Sequence, residues 1–435
     1  MTSPMNLQLL DPTDDSKDIP INVIDIDHSN YQYQSDTDFS DASSNPNAVE
    51  SLNTISNLLN ALLGAGILAV PSSFSNVGLI PSIVLLFFIA TLSFLSTNMV
   101  IKLQLATKTS SYDELTYRIL GQKGQNVVVV LSLIFLVSTL LCYLVLGCDM
   151  LISFFAAVHI DMSNIWRRAG LILFYSLVLP LALSLPKSLK ILSYSSVVTI
   201  VGVLFFNVAV TVKGCKQFEL AGISETMSLG KFHISVFSDF AIYALGFALP
   251  IVSCTIVNDY THSVRKRTGI IAIGMTISFV LISIPAIISY MMFGNSVSVN
   301  ILKNFGDNDT LFLLVRIAFF FIVTISYPCI AQNVMSCWSR LLFHINDHKT
   351  LTLRQRIIAL IATNSIPIII ALFVPVAKPI LSIGGSVGGC VVNFVFPPTL
   401  YLILFHTKPT SPKWYLLILL ILFGCTTAVM STYQS

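Results

Sequence analysis

Gly64, Ala65 and Gly66 interrupt an apolar run from Asn57 to Pro71, at a point where a membrane helix would otherwise continue. Non-helical backbone survives at membrane depth only where protein or an aqueous cavity covers it, so such a break lines a binding site. The amides of Ala65, Gly66 and Ile67 would cap a half-helix whose positive end suits a carboxylate. Carbonyls on the other side of the break, that of Leu63 among them, suit a cation. Asn60, one turn earlier, can add a side-chain oxygen to that cation, or serve as a hydrogen-bond partner for a neighbouring helix.

A second interruption runs from Tyr243 to Pro250, with Gly246 and Pro250 in mid-run and Phe247 placed to close over a bound side chain. Thr324 and Ser326 precede Pro328, so their hydroxyls adjoin a carbonyl freed by the proline and give a second wall of hard oxygen ligands. The alternative for each is a hydroxyl bonded back onto its own helix. Arg316 and Asp149 are charges within apolar segments and candidates for an outer vestibule. No nucleophile with a base and no Cys/His metal spacing accompanies these residues, so the chain reads as a non-enzyme without cofactor or metal beyond a coupling ion. Its eight cysteines read as small buried hydrophobes, apart from Cys215 in a loop.

The elements that must hold these residues follow from composition. Of 435 residues 54% are hydrophobic and 10% charged, and the mean hydropathy is +0.81, values of an integral membrane protein. Eleven segments of at least about 20 apolar residues can cross a bilayer: 54–75, 79–105, 126–158, 168–186, 191–213, 237–260, 268–293, 310–342, 354–375, 379–405 and 414–432. Tyr112 to Leu120 is too short and polar to cross and fits an interfacial helix. Residues 1–50 carry ten acidic residues against the single Lys17 and read as a disordered acidic tail, leaving 51–435 as the membrane domain. The tail has no secretory signal, so the first crossing is the expected targeting element.

Placing the tail in the cytosol puts fifteen Lys and Arg of the loops inside against seven outside, as the positive-inside rule requires. The sequon Asn308-Asp309-Thr310 then falls outside. The two interrupted segments are the first and the sixth. A spacing of five reverses the orientation of the second unit, which is what a five-plus-five inverted repeat requires, with the eleventh helix an addition.

The chain resembles the amino acid/auxin permease family, in the branch of the sodium-coupled neutral amino acid transporters and fungal vacuolar amino acid transporters. The likeness covers about residues 51–432, and Asn57 to Leu68 is its most specific part. Ser111 to Leu115 with Gly121, Tyr143 to Asp149, Leu185 to Leu189, Arg316 to Pro328, and Gly384 to Gly389 with Pro397 and Tyr401 follow in order. The resemblance implies an all-α, LeuT-like fold carrying amino acids with a cation gradient, and sets Asn60, Thr324 and Ser326 where sodium-coupled members hold their ion. Proton-coupled relatives share the first-helix pattern, so the ion stays open. Leu249-Pro250 stands where many relatives have His-Pro, Asp259 matches a later acidic position, and Cys215 lacks the partner some plasma-membrane relatives have.

These readings converge on a monomeric secondary transporter in the plasma membrane or a vacuolar or lysosomal membrane. Cation and neutral amino acid would bind between the first, third, sixth and eighth crossings, with lipid and substrate as partners and no nucleic acid. The alternative is an amino acid sensor that signals through its tail.

Overall fold

The computed structural model describes residues 47–434, apart from 65, 163, 187–194, 232–235, 259, 262, 346–349 and 375–376. Most of the acidic tail therefore lies outside the described residues, and its last residues, Ala48 to Glu50, already form the first turn of a helix. The described regular elements are all helical.

The first crossing is a broken pair, α1 (Ala48–Leu62) and α2 (Gly66–Val77), bent by 51° between them. Then come α3 (Leu79–Thr107), α4 (Tyr112–Ala157), α5 (Ile165–Ser184) and α6 (Ser195–Ala221). The sixth crossing is again split, into α7 (Val236–Gly246) and α8 (Pro250–Val257). After it run α9 (Val264–Phe293), α10 (Thr310–Phe343), α11 (Leu353–Phe373), α12 (Pro379–Phe405) and α13 (Pro412–Gln434). Among the described residues ten segments, α7 with α8 taken as one, are long and apolar enough to cross a membrane, and the bent pair α1 and α2 makes an eleventh.

Local sequence explains where these helices start and turn. The Ser111 hydroxyl accepts the Glu114 amide at 3.2 Å, and the Thr352 hydroxyl with the Gln355 side chain forms a reciprocal cap, each satisfying amides that a helix start leaves open. The interfacial helix predicted over 112–120 is present as the opening of α4, set off from the crossing by Gly121, whose φ of 70° is a left-handed value that favours glycine. Asp309 caps α10 by accepting the amides of Leu311 at 3.1 Å and Phe312 at 3.3 Å, and it pairs with Lys213 of α6. Partial burial acts to raise the Asp309 carboxyl, but the Lys213 ammonium and those two amides outweigh it and hold it below the usual carboxylate value.

Helix α12 is the central wedge. It winds as a π-helix over Gly384–Val395, and its glycines bring backbone against backbone. A Cβ at Gly385 would lie 2.2 Å from the Ala241 carbonyl oxygen of α7, and one at Gly388 would lie 2.2 Å from the Phe135 Cβ of α4. Small residues at such crossings let helices approach closely where lipid offers no hydrophobic drive.

Arg316 does not reach for solvent. It is 1% exposed and donates to the carbonyls of Leu302 at 2.9 Å, Phe305 at 2.6 Å and Gly306 at 3.3 Å, with Asp307 at 3.4 Å. It ties the Ile301–Asn304 turn and the residues after it onto α10. Arg267 of α9 does the same at the opposite end, donating to the carbonyl of Asn258 at 2.9 Å, to Gln104 Oε1 at 2.9 Å and to the carbonyl of Thr261. Paired buried cations of this kind hold loops in register, and removing one leaves several orphaned carbonyls.

Candidate functional site

The two breaks meet. Helix α1 ends where the Leu63 amide returns to the Leu59 carbonyl at 2.7 Å, and α2 begins at Gly66, with the Ile67 amide reaching the Gly64 carbonyl at 3.4 Å. In the sixth crossing Phe247 and Leu249 close a tight turn, Leu249 N–H donating to the Phe247 carbonyl at 2.8 Å, and Pro250 opens α8 without an amide to satisfy. A Cβ at Gly66 would stand 3.5 Å from the Cα of Gly246. That spacing admits a methyl group and little more.

Below this contact lies a cavity of about 590 Å³. Its wall takes Asn60, Gly64 and Gly66 from the first crossing, Thr139 and Tyr143 from α4, Gly246 and Val252 from the sixth, and Ser326 and Asn333 from α10, with Leu381 of α12 closing one side. It extends along α1 to Asn57, Asn53 and Glu50 and is lined there by Tyr260 as well. Glu50 is the charged side chain of the lining, at the mouth, where it caps the Asn47 amide at 3.0 Å. The deep end is therefore uncharged, walled by apolar groups and a few polar ones around exposed helix ends, a form suited to a small zwitterion.

The expected site residues divide. Gly64, Gly66, Gly246, Asn60 and Ser326 share the cavity wall. Ala65 lies outside the described residues, as does Asp259. Ile67, Leu63 and Phe247 are each fully buried and do not line the cavity; the Phe247 carbonyl accepts from the Ser93 hydroxyl of α3, so this turn is held from behind. The Asn60 amide is engaged with α6, accepting from Thr199 at 2.7 Å and donating to Ser195 at 3.4 Å, and Asn57 accepts from Ser196 at 3.0 Å. The paired asparagines thus pin α1 to the fifth crossing. Thr324 points away from the cavity wall, its hydroxyl 2.9 Å from Tyr175 OH of α5. Asp149 pairs with Lys303 at 2.8 Å and accepts from Asn300 at 3.4 Å; with Arg316 these surround a separate small void near the loop that Arg316 holds.

The sequence did not mark three side chains as site residues. Tyr143 leans over the first break, its hydroxyl 2.8 Å from where a Gly64 Cβ would be; a phenol in the apolar run from Leu140 to Met150 was the available signal, because a buried tyrosine hydroxyl seeks a partner. Asn393 of α12 donates to the Ala244 carbonyl at 3.2 Å, one of the carbonyls that the second break frees. Asp239 of α7 is 0% exposed and accepts from Asn76 of α2 at 2.7 Å, joining the two broken crossings on the side away from the cavity.

That side is shut. From Gly66 to Phe74 every residue of α2 is buried, Phe74 meets Tyr290 edge-on at 6.0 Å between ring centres, and the strap from Ser228 to Lys231 crosses above. Its carbonyls accept the amides of Leu79 at 2.9 Å and Ile80 at 3.0 Å, and the Lys231 amide donates to the Val77 carbonyl at 2.7 Å. Gly78, at φ 90°, passes so near that a Cβ would lie 2.8 Å from the Cα of Gly230.

Residues 50–435 match the family model described as "Transmembrane amino acid transporter protein". The chain is 25% identical over 368 residues to the Danio rerio sodium-coupled neutral amino acid transporter 7, covering 80% of this chain and 77% of that one. Against the Xenopus laevis protein of the same name it is 23% identical over 380 residues, 83% of each chain. Its fold is similar to the crystal structure of MhsT in complex with L-phenylalanine, with a TM-score of 0.56 at 11% identity, over 90% of this chain and 99% of that one.

Proposed function

This chain belongs to the transmembrane amino acid transporter family, and from that premise we propose that it carries neutral amino acids through the cavity at its two breaks, driven by a cation gradient. The observation that carries the reading is the meeting of Gly66 with Gly246 at the deep end of an uncharged cavity. The α-amino and α-carboxyl groups that all amino acids share would be met by the helix ends at Gly64, Gly66 and Gly246. The side chain would extend among Phe135, Leu136 and Val252, where no fixed charge favours an acidic or basic substrate. The names of the two relatives support a neutral cargo and sodium as the ion, with a proton as the alternative.

The positive-inside bias supports a cytosolic N-terminus, which makes this conformation open to the cytosol and closed on the other face. Transport then follows from rocking the bundle of the two broken crossings so that the seal around α2 and α7 opens while the α1 mouth closes. The test is uptake of radiolabelled neutral amino acids into proteoliposomes holding the purified protein, with sodium and proton gradients imposed separately. Uptake accelerated by one gradient supports the carrier and names its ion. Substrate binding without uptake under either gradient would instead mark a sensor.

A further inference from the structure

In an uninterrupted helix the amides of residues 248 and 250 would serve the carbonyls of Ala244 and Gly246. Pro250 has no amide to give. Ala248 has one, yet it turns to the Leu245 carbonyl in a long bond of 3.4 Å, while the Leu249 amide doubles back to Phe247 at 2.8 Å. The Ala244 carbonyl is taken instead by a side chain, the Asn393 amide of α12, at 3.2 Å.

Asn393 is 0% exposed, and its Oδ1 has no hydrogen-bond partner among the described residues. The reverse orientation would set that oxygen against the Ala244 carbonyl oxygen, so the donor end is the one that faces α7. A buried amide with an idle oxygen is a poor packing residue, because the desolvation cost of the oxygen is not recovered. What the amide contributes is its donor. The backbone of α12 delivers it. Asn393 lies in the π-wound stretch Gly384–Val395, in which a Cβ at Gly389 would stand 3.5 Å from the Leu245 amide nitrogen, and Ser382, just before that stretch, has its hydroxyl 3.2 Å from that of Ser238 of α7. Helix α12 thus follows α7 up to the break, and π-windings within helices gather at functional sites.

We propose that Asn393 is a positioning residue for substrate binding, which keeps the second break open by occupying the carbonyl to which the Ala248 amide would otherwise return. Two devices then prevent the helix from closing: Pro250 removes the donor for Gly246, and Asn393 displaces Ala248 from Ala244. With Asn393 in place the turn presents Gly246 and Ala248 to the cavity wall. Without it the turn tightens toward a helix and withdraws them. The inference rests on the transporter reading only in taking the break as the place where substrate binds.

Deuterium exchange of the purified full-length chain, read on overlapping peptides that isolate Ala248, tests it against Asn393→Leu, which is close in size and has no donor. Exchange at Ala248 should slow several-fold in that variant as its amide returns to Ala244, whereas a general loosening of the fold would speed it. Asn393→Gln, which restores an amide donor, should lie closer to the parent. In proteoliposomes the KM for uptake of a neutral amino acid should rise about tenfold with Asn393→Leu. Unchanged or faster exchange at Ala248, or an unchanged KM, overturns the proposal. Should Asn393→Leu fail to fold, the parent decides: its Ala248 amide should exchange well before that of Phe247, which is bonded to the Tyr243 carbonyl at 3.1 Å, and equal protection of the two overturns the proposal. The exchange measurement needs no substrate, so a parent that carries no amino acid would overturn the transporter reading and leave the exchange result standing.

Discussion

The two halves of each broken crossing live in different environments. Helices α1 and α8 border an aqueous-sized cavity on one side; on the other, Leu58 of α1 packs against Gly274 of α9, the paired asparagines hold α1 to α6, and Arg267 holds the end of α8. Helices α2 and α7 are packed on all sides, joined by Asn76 and Asp239, and strapped by Ser228–Lys231. The same chain chemistry, an apolar helix beside a glycine break, thus yields one half beside a cavity and one packed on its far side, and the proposed transport cycle swings the first against the second. What separates them is the number of independent interactions that a movement would have to sever, which sets the local cost of opening.

The largest expected effect comes from forcing the halves apart where they meet. Gly66→Leu places an isobutyl group where Gly246 allows a methyl, so uptake should fall to background, at least about a hundredfold, whereas Gly66→Ala keeps measurable transport. Equal activity in both variants would break the claim that the breaks touch. Next is the clamped side: Gly78→Ala meets both a left-handed φ and the Gly230 backbone, and should cost roughly 1–3 kcal/mol, read as a lower thermal midpoint and faster labelling of a cysteine introduced in α2.

On the swinging side, Asn60→Ala removes two interhelical bonds and a cavity oxygen, and should weaken cation dependence of uptake about tenfold. Unchanged cation affinity would leave Asn60 as a pin between α1 and α6 only. The smallest effect belongs to the periphery. Asp309 titrates below its ordinary value of about 3.9 when folded, so its contribution is complete above that value and is lost as pH falls through the lower, folded value. Thermal melts from pH 6 down to the acid limit should show this loss in the parent chain and not in Asp309→Asn.

Much of this was legible beforehand. The apolar runs delimited most crossings to within a few residues, 379–405 corresponding to Pro379–Phe405 and 310–342 to Thr310–Phe343, whereas 191–213 stopped well short of the helix end at Ala221. Gly64 and Gly66 located the first break, and Gly246 with Pro250 the second, because both depend on local backbone chemistry. The partners of polar side chains were not legible, since they depend on which helix faces which. Thr324 reads as a cavity hydroxyl until Tyr175 is seen beside it. Arg316 reads as a vestibule charge until three loop carbonyls are found around it. Asp239 stands two residues inside the edge of its hydropathy segment, where an acid reads as a boundary residue, and its burial follows from α2 and α12 closing over α7.

The breadth of the cavity has a pharmacological consequence. At about 590 Å³ it falls within the range that accommodates drug-sized ligands, so it exceeds what a lone amino acid head group needs at the breaks. At the site proposed above, a molecule with an amino acid head and a long polar tail would anchor between Gly64 and Gly246 while its tail follows α1 toward Asn53 and Tyr260. It would act as a cork: recognised as cargo, too long for the mouth to close behind it, and selective for the one conformation in which that mouth stands open.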